Sequence, residues 1–193
     1  MKLQRFFPTT IGYFNDIEFT NKVLPLARET LVDVNKEDHI WEYKTTFSKE
    51  EKMRKISNTP FINKYIKNIS DKFINSIGWD WLWEIEVQAF VTKMEKGDQH
   101  DYHNHPNGVL SGVCYLNTSS DCSSIVFEDP RNVRAFNSLK QKDMGYNIDN
   151  QNQVTFQPKN GDILIWESWL KHKVPINNCD CRETLVFNIS KPL

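Results

Sequence analysis

Three of the five histidines in this 193-residue chain fall within six residues, in Gln99-His100-Asp101-Tyr102-His103-Asn104-His105-Pro106. In an extended segment, side chains two apart share a face, so His103 and His105 present two imidazoles to one side. Such a pair can ligate one metal ion. His172 lies far along the chain, at the end of another strand-like run. A sheet that folds back on itself can bring it beside the pair and complete a set of three, with open positions opposite. His100 is read as a surface residue, or as a substitute for one of the other two. Three imidazoles do not select a metal, since Zn, Ni and Cu suit them as well as Fe. Taken singly, each of these histidines is ordinary polar surface or structure. Their surroundings give them meaning.

Arg182 lies ten residues beyond His172, and Thr184 follows two residues later on the same strand face. A guanidinium suits a carboxylate because its planar fork donates two parallel hydrogen bonds. A metal ligand, a hairpin and then Arg-x-Thr would set a dicarboxylic acid between a metal and a fixed cation. Tyr115, on the inward face of its own strand, could assist in holding that acid. Trp166 and Trp169 could wall the pocket. Each of these three aromatics also reads as plain core packing.

The elements that must carry these residues fall into two zones. Residues 1–78 read as largely helical, after a short strand-like piece around Phe6–Phe14. Phe19, Val23, Leu24, Ala27 and Leu31 fall at helical spacing, with Pro25 as a kink or early break. Ser48-Lys49-Glu50-Glu51 resembles a capping box. The clearest helix starts at Pro60 after Thr59 and ends at Gly78, with Phe61, Ile62, Tyr65, Ile66, Ile69, Phe73, Ile74 and Ile77 in one stripe. From Trp79 the period changes to two, and Trp81 to Thr92 reads as a half-buried strand. Strands are further expected over Val109–Asn117, Ile125–Glu128, Val154–Phe156, Asp162–Trp166, Lys173–Ile176 and Thr184–Ile189. Short strands at this spacing, without intervening helices, predict a barrel or sandwich. The whole of 1–193 reads as one domain, a helical support (1–78) packed outside a β core (79–193).

Hydrophobic residues make up 39% and charged residues 25%, which suits a globular chain and excludes a disordered one. Lysine plus arginine (24) nearly balances aspartate plus glutamate (25), so nothing marks a bulk nucleic-acid or membrane-surface binder. No run approaches the ~18 apolar residues of a membrane span. The N-terminal residues lack a signal-peptide stretch, and the expected location is cytoplasmic. The four cysteines form no Cys-x2-Cys pair and are read as free, mostly structural thiols.

The second half resembles the iron(II)- and 2-oxoglutarate-dependent oxygenases, a small bacterial and phage subgroup in particular. More distantly it is similar to the catalytic half of prolyl 4-hydroxylases. The likeness rests on the order and spacing of Gly97, His103-Asn104-His105-Pro106-Asn107, Leu110 to Leu116, Phe127-Glu128-Asp129-Pro130-Arg131, Pro158 to Asp162, Ser168 to Val174, and Arg182 with Phe187-Asn188. It implies a mainly β fold with flanking helices, a double-stranded β-helix (jelly roll) holding iron at one mouth. It implies an Fe(II) site at His103, His105 and His172, with 2-oxoglutarate as co-substrate at Arg182, Thr184 and Tyr115. The activity implied is dioxygenase chemistry: hydroxylation of a small-molecule or peptide substrate, coupled to conversion of 2-oxoglutarate into succinate and CO2. The superfamily usually supplies His-x-Asp or His-x-Glu, whereas here His105 stands where the carboxylate belongs. A three-histidine site, a register using His105 and Asn107, and recruitment of Asp101 all remain open. So do a non-enzymatic jelly roll that binds a metal or small molecule, and an assembly protein that keeps only the scaffold. The helical zone and the loop from Pro130 to Gln153 are expected to shape specificity.

Overall fold

The computed structural model describes residues 2, 7–38, 43–131 and 151–192. Its helices are α1 (Ile17–Leu31), α2 (Glu50–Ser57) and α3 (Pro60–Ser76). Its strands are β1 (Ile11–Asn15), β2 (Lys44–Thr45), β3 (Glu86–Met94), β4 (His100–His103), β5 (Leu110–Asn117), β6 (Ile125–Glu128), β7 (Gln153–Phe156), β8 (Asp162–Glu167), β9 (His172–Val174) and β10 (Arg182–Ser190). They form two antiparallel sheets, a larger one in the order β1-β8-β5-β10-β3-β2 and a smaller one in the order β4-β9-β6-β7. This is the jelly-roll architecture, with the helices on its outer side.

Alternation along the strands separates two cores. On β10, Leu185, Phe187 and Ile189 point to the helices and pack with Phe19, Val23, Ile62, Ile66 and Phe73. Val186 points the other way and joins Val113, Tyr115, Phe127 and Trp166 between the two sheets. Gly112 lets β10 lie close to β5, because a Cβ there would sit 2.1 Å from Phe187 Cζ. The central strands of the larger sheet (β5, β8 and β10) are therefore buried on both faces, and the inter-sheet face carries the polar residues of the site.

Several expectations are corrected. Helix α1 runs through Pro25 unbroken. Asp16 caps it, accepting from Phe19 N at 2.9 Å. Its buried stripe from Phe19 to Leu31 holds the helix despite the bond that proline removes. Ser48 caps nothing, since α2 starts at Glu50 with Lys49 at its N-cap. Thr59 does precede α3, but its hydroxyl donates back to Lys55 O instead of capping. The segment 79–85 is not a strand, and Trp79 and Leu82 lie exposed there. The N-terminal zone is also more than helical support: β1 pairs with β8 and β2 with β3, completing both edges of the larger sheet.

The cysteines divide. Cys114 and Cys181 are free, as expected, whereas Cys122 and Cys179 form a disulfide across a separation of 57 residues. The spacing rule missed this pair because a contact between the β5–β6 loop and the β9–β10 loop leaves no sequence signature. Beside the disulfide, buried Asn177 ties the β9–β10 loop to the turn after β3. Its carbonyl accepts from Gly97 N (2.8 Å), its N donates to Asp98 O (2.7 Å), and its amide oxygen accepts from Ser123 N (3.0 Å). Among the described residues, no helix is long and apolar enough to cross a membrane. Most of the loop expected to shape specificity (132–150) lies outside the described residues.

Candidate active site

Strands β4 and β9 are neighbours in the smaller sheet, and His103 is the register partner of His172. His105 follows β4 in a turn anchored by its own N–H donating to Ser168 O at 3.0 Å. The fold thus brings His103, His105 and His172 together, with one ligating atom from each lying within 4.8 Å of the others. The aiming is specific. Nδ1 of His103 is 2.8 Å from Asp101 O, and Nδ1 of His172 is 2.9 Å from Leu170 O. An Nδ1–H donated to a carbonyl leaves the Nε2 lone pair free for a metal. Nε2 of His105 is buried without a protein partner.

Burial pushes His172 down to about 2 and His105 to about 4, and it lowers His103 as well. All three imidazoles are therefore held in the neutral form that ligates. Trp166, 2% exposed, stands edge-on to His172 with ring centroids 4.9 Å apart. It walls the site. Trp169 is exposed and does not.

His100 is not the surface residue expected. Three residues from His103, it would face the opposite side of a regular strand. A register irregularity between the two in β4 turns both rings to one side, where they stack with centroids 3.8 Å apart. Tyr43 O–H meets His100 Nδ1 at 2.9 Å. Neither role could be read from motif spacing.

Arg182 opens β10 on its inter-sheet face and is only 3% exposed. Among the described residues no carboxylate pairs with it. Its NH1 lies 3.7 Å from Met94 Sδ, its Nε has no partner, and its guanidinium carbon sits 5.1 Å from the Tyr115 ring centre. Tyr115 is fully buried, its hydroxyl lacks a protein partner, and burial pushes it up to about 12. Thr184 shares the face of Arg182, its hydroxyl 2.7 Å from that of Thr92. One cavity of ≈ 1070 Å³ is lined by the three histidines together with His100, Arg182 and Thr184. Of the alternative ligands, Asp101 is exposed and lies outside the histidine cluster, whereas Asn107 is exposed but lines the same cavity. The donor set suits a divalent transition metal, and the unpaired buried guanidinium suits an organic anion next to it.

Solved structures share this fold at low identity. A Pseudomonas putida prolyl-4-hydroxylase aligns over 96% of this chain and 94% of its own, with 10% identity and a TM-score of 0.59. A Trichoplax adhaerens prolyl hydroxylase, solved with a hypoxia-inducible-factor peptide fragment, aligns over 94% and 83%, with 14% identity and a TM-score of 0.60. The chain spans 57% of the length of a Burkholderia pseudomallei oxidoreductase of the 2OG-Fe(II) oxygenase family, covering 74% of itself, at 15% identity and a TM-score of 0.47. A search of curated proteins finds no match. The model of the family described as "Putative 2OG-Fe(II) oxygenase" matches residues 88–188, more than half of the chain and all of the site from His100 to Thr184. The chain belongs to this family of 2-oxoglutarate- and iron(II)-dependent oxygenases.

Proposed function

We propose that the protein is a working dioxygenase that binds Fe(II) through His103, His105 and His172 and 2-oxoglutarate through Arg182 and Thr184, with Tyr115 beside them. It would hydroxylate a C–H bond of a small-molecule or peptide substrate. The observation that carries this reading is Arg182: a buried guanidinium with no carboxylate partner among the described residues, opening into the same cavity as three convergent imidazoles. A buried unpaired charge is costly, so an anionic ligand is the natural partner.

Iron and 2-oxoglutarate would supply the activation of O2, coupled to decarboxylation of 2-oxoglutarate to succinate and CO2. The chain's own residues do the rest. His103 and His172 are oriented by their carbonyl bonds and His105 by its turn. Arg182 offers a two-pronged donor to the distal carboxylate, and the Thr184 hydroxyl adds a third. Trp166 and the apolar side chains around it keep bulk water from the reacting centre. A three-histidine set contributes no negative charge, so the metal would keep its full double charge for the co-substrate. On this reading residues 1–193 act as one unit, with 1–78 bracing the core of 79–193.

The test is metal stoichiometry together with succinate release. The expected result is one Fe(II) per chain and oxygen-dependent succinate formation from 2-oxoglutarate that a chelator abolishes. Metal binding without any affinity for 2-oxoglutarate would instead make this a metal-binding jelly roll.

A further inference from the structure

We propose that Tyr43 and His100 form a positioning arm that closes the side of the co-substrate channel between the metal ligands and Arg182. The inference rests on the co-substrate reading above, and it concerns two residues to which that reading gives no role. Tyr43 even precedes the matched segment.

The arm can be followed across the fold. Arg182 is the register partner of Met94, whose Sδ lies 3.7 Å from its NH1. Tyr43 stands one residue before β2, whose Lys44 and Thr45 pair with Lys93 and Thr92, and its ring packs on Met94 and Val174. From there its hydroxyl reaches the smaller sheet at His100 Nδ1, 2.9 Å away. The His100 ring then stacks on His103 at 3.8 Å between centroids, with 15° between planes. The path from guanidinium to metal ligand is thus continuous: Arg182, Met94, Tyr43, His100, His103. Tyr43, Met94 and His100 all line the cavity.

Two consequences follow from the chemistry. The stack restricts rotation of the His103 ring, and the O–H···N bond holds the stack in place. The same pair forms a lateral wall for a bound dicarboxylate, so it sets how wide that molecule can be. Tyr43 contributes this wall from the N-terminal zone, which ties the conformation of that zone to co-substrate binding.

The experiment is a double-mutant cycle. Tyr43→Phe, His100→Phe and the pair are titrated calorimetrically with Mn(II), then with 2-oxoglutarate on the Mn(II)-loaded protein. Each single change should weaken 2-oxoglutarate binding roughly three- to tenfold, the range of one lost hydrogen bond. The double variant should be no worse than either single one, because both remove the same bond. Tyr43→Ala, which removes the wall, should narrow the preference for 2-oxoglutarate over 3-methyl-2-oxoglutarate. Additive losses, unchanged 2-oxoglutarate affinity, or equal loss of Mn(II) binding and thermal stability with no change in this preference would each overturn the arm. A wild-type protein that binds Mn(II) but not 2-oxoglutarate would overturn the co-substrate reading itself, and the arm with it.

Discussion

Arg182 and Glu183 are consecutive on β10 and serve opposite faces of the larger sheet. Arg182 opens into the cavity, whereas Glu183, 4% exposed, turns to the helices and accepts from Arg28 of α1 at 2.8 Å. That ion pair fixes the start of the strand on which Arg182, the proposed anion anchor, sits. Arg28→Ala leaves the Glu183 carboxylate buried and unpaired. Because Arg28 is itself half exposed, water recovers part of the loss, and about 1–2 kcal/mol of stability should disappear. Chemical denaturation reads this directly, and Mn(II) affinity should stay within twofold of wild type. A loss of metal binding as large as the loss of stability would contradict the separation of the two faces.

His172→Ala removes one of the three proposed metal donors, an imidazole held neutral by burial. Metal content by elemental analysis should fall from one ion per chain to near zero. The metal-free variant should melt within a few degrees of the metal-free wild type, because only a small buried ring is removed.

Arg182→Lys keeps the charge and discards the fork. Affinity for 2-oxoglutarate should fall at least tenfold, about 1.4 kcal/mol, while Mn(II) affinity is nearly unchanged. A 2-oxo acid without the distal carboxylate should bind the wild type and this variant alike. If that truncated acid loses as much as 2-oxoglutarate does, Arg182 is not the distal anchor.

The Cys122–Cys179 disulfide closes a long loop, and a chain-entropy estimate for its 57-residue separation gives up to about 4 kcal/mol. Replacing both cysteines with serine should lower the midpoint of chemical unfolding to match wild-type protein kept in reductant. If oxidised and reduced wild type unfold at the same denaturant concentration, the disulfide contributes nothing to stability.

The chemistry-bearing part of the site was legible because its residue types are scarce and constrained. A His-x-His pair, a distant histidine and an Arg-x-Thr strand start have few roles that use all of them. Their convergence in one cavity follows from strand alternation, which also separated Arg182 from Glu183. His100 was misplaced because alternation fails where β4 is irregular, and nothing in its neighbours announces the irregularity. Tyr43 was missed because a tyrosine before a two-residue strand carries no pattern. The alternating stretch 79–85 misled for the opposite reason: its tryptophans and Leu82 alternate on paper, but no second strand pairs with them. Pro25 lowers helix propensity locally, and the packed stripe around it outweighs that penalty.

The span clamped by Asn177 and the disulfide runs from His172, a proposed metal ligand at the start of β9, to Arg182, the proposed anion anchor at the start of β10. The two jaws of the site therefore belong to one short span of main chain pinned at its middle, and their separation is a property of backbone geometry. Such a span acts as a caliper. On the proposed roles it would gauge the length of an oxo diacid without rearranging side chains, because each end is also held by sheet register, His172 on His103 and Arg182 on Met94.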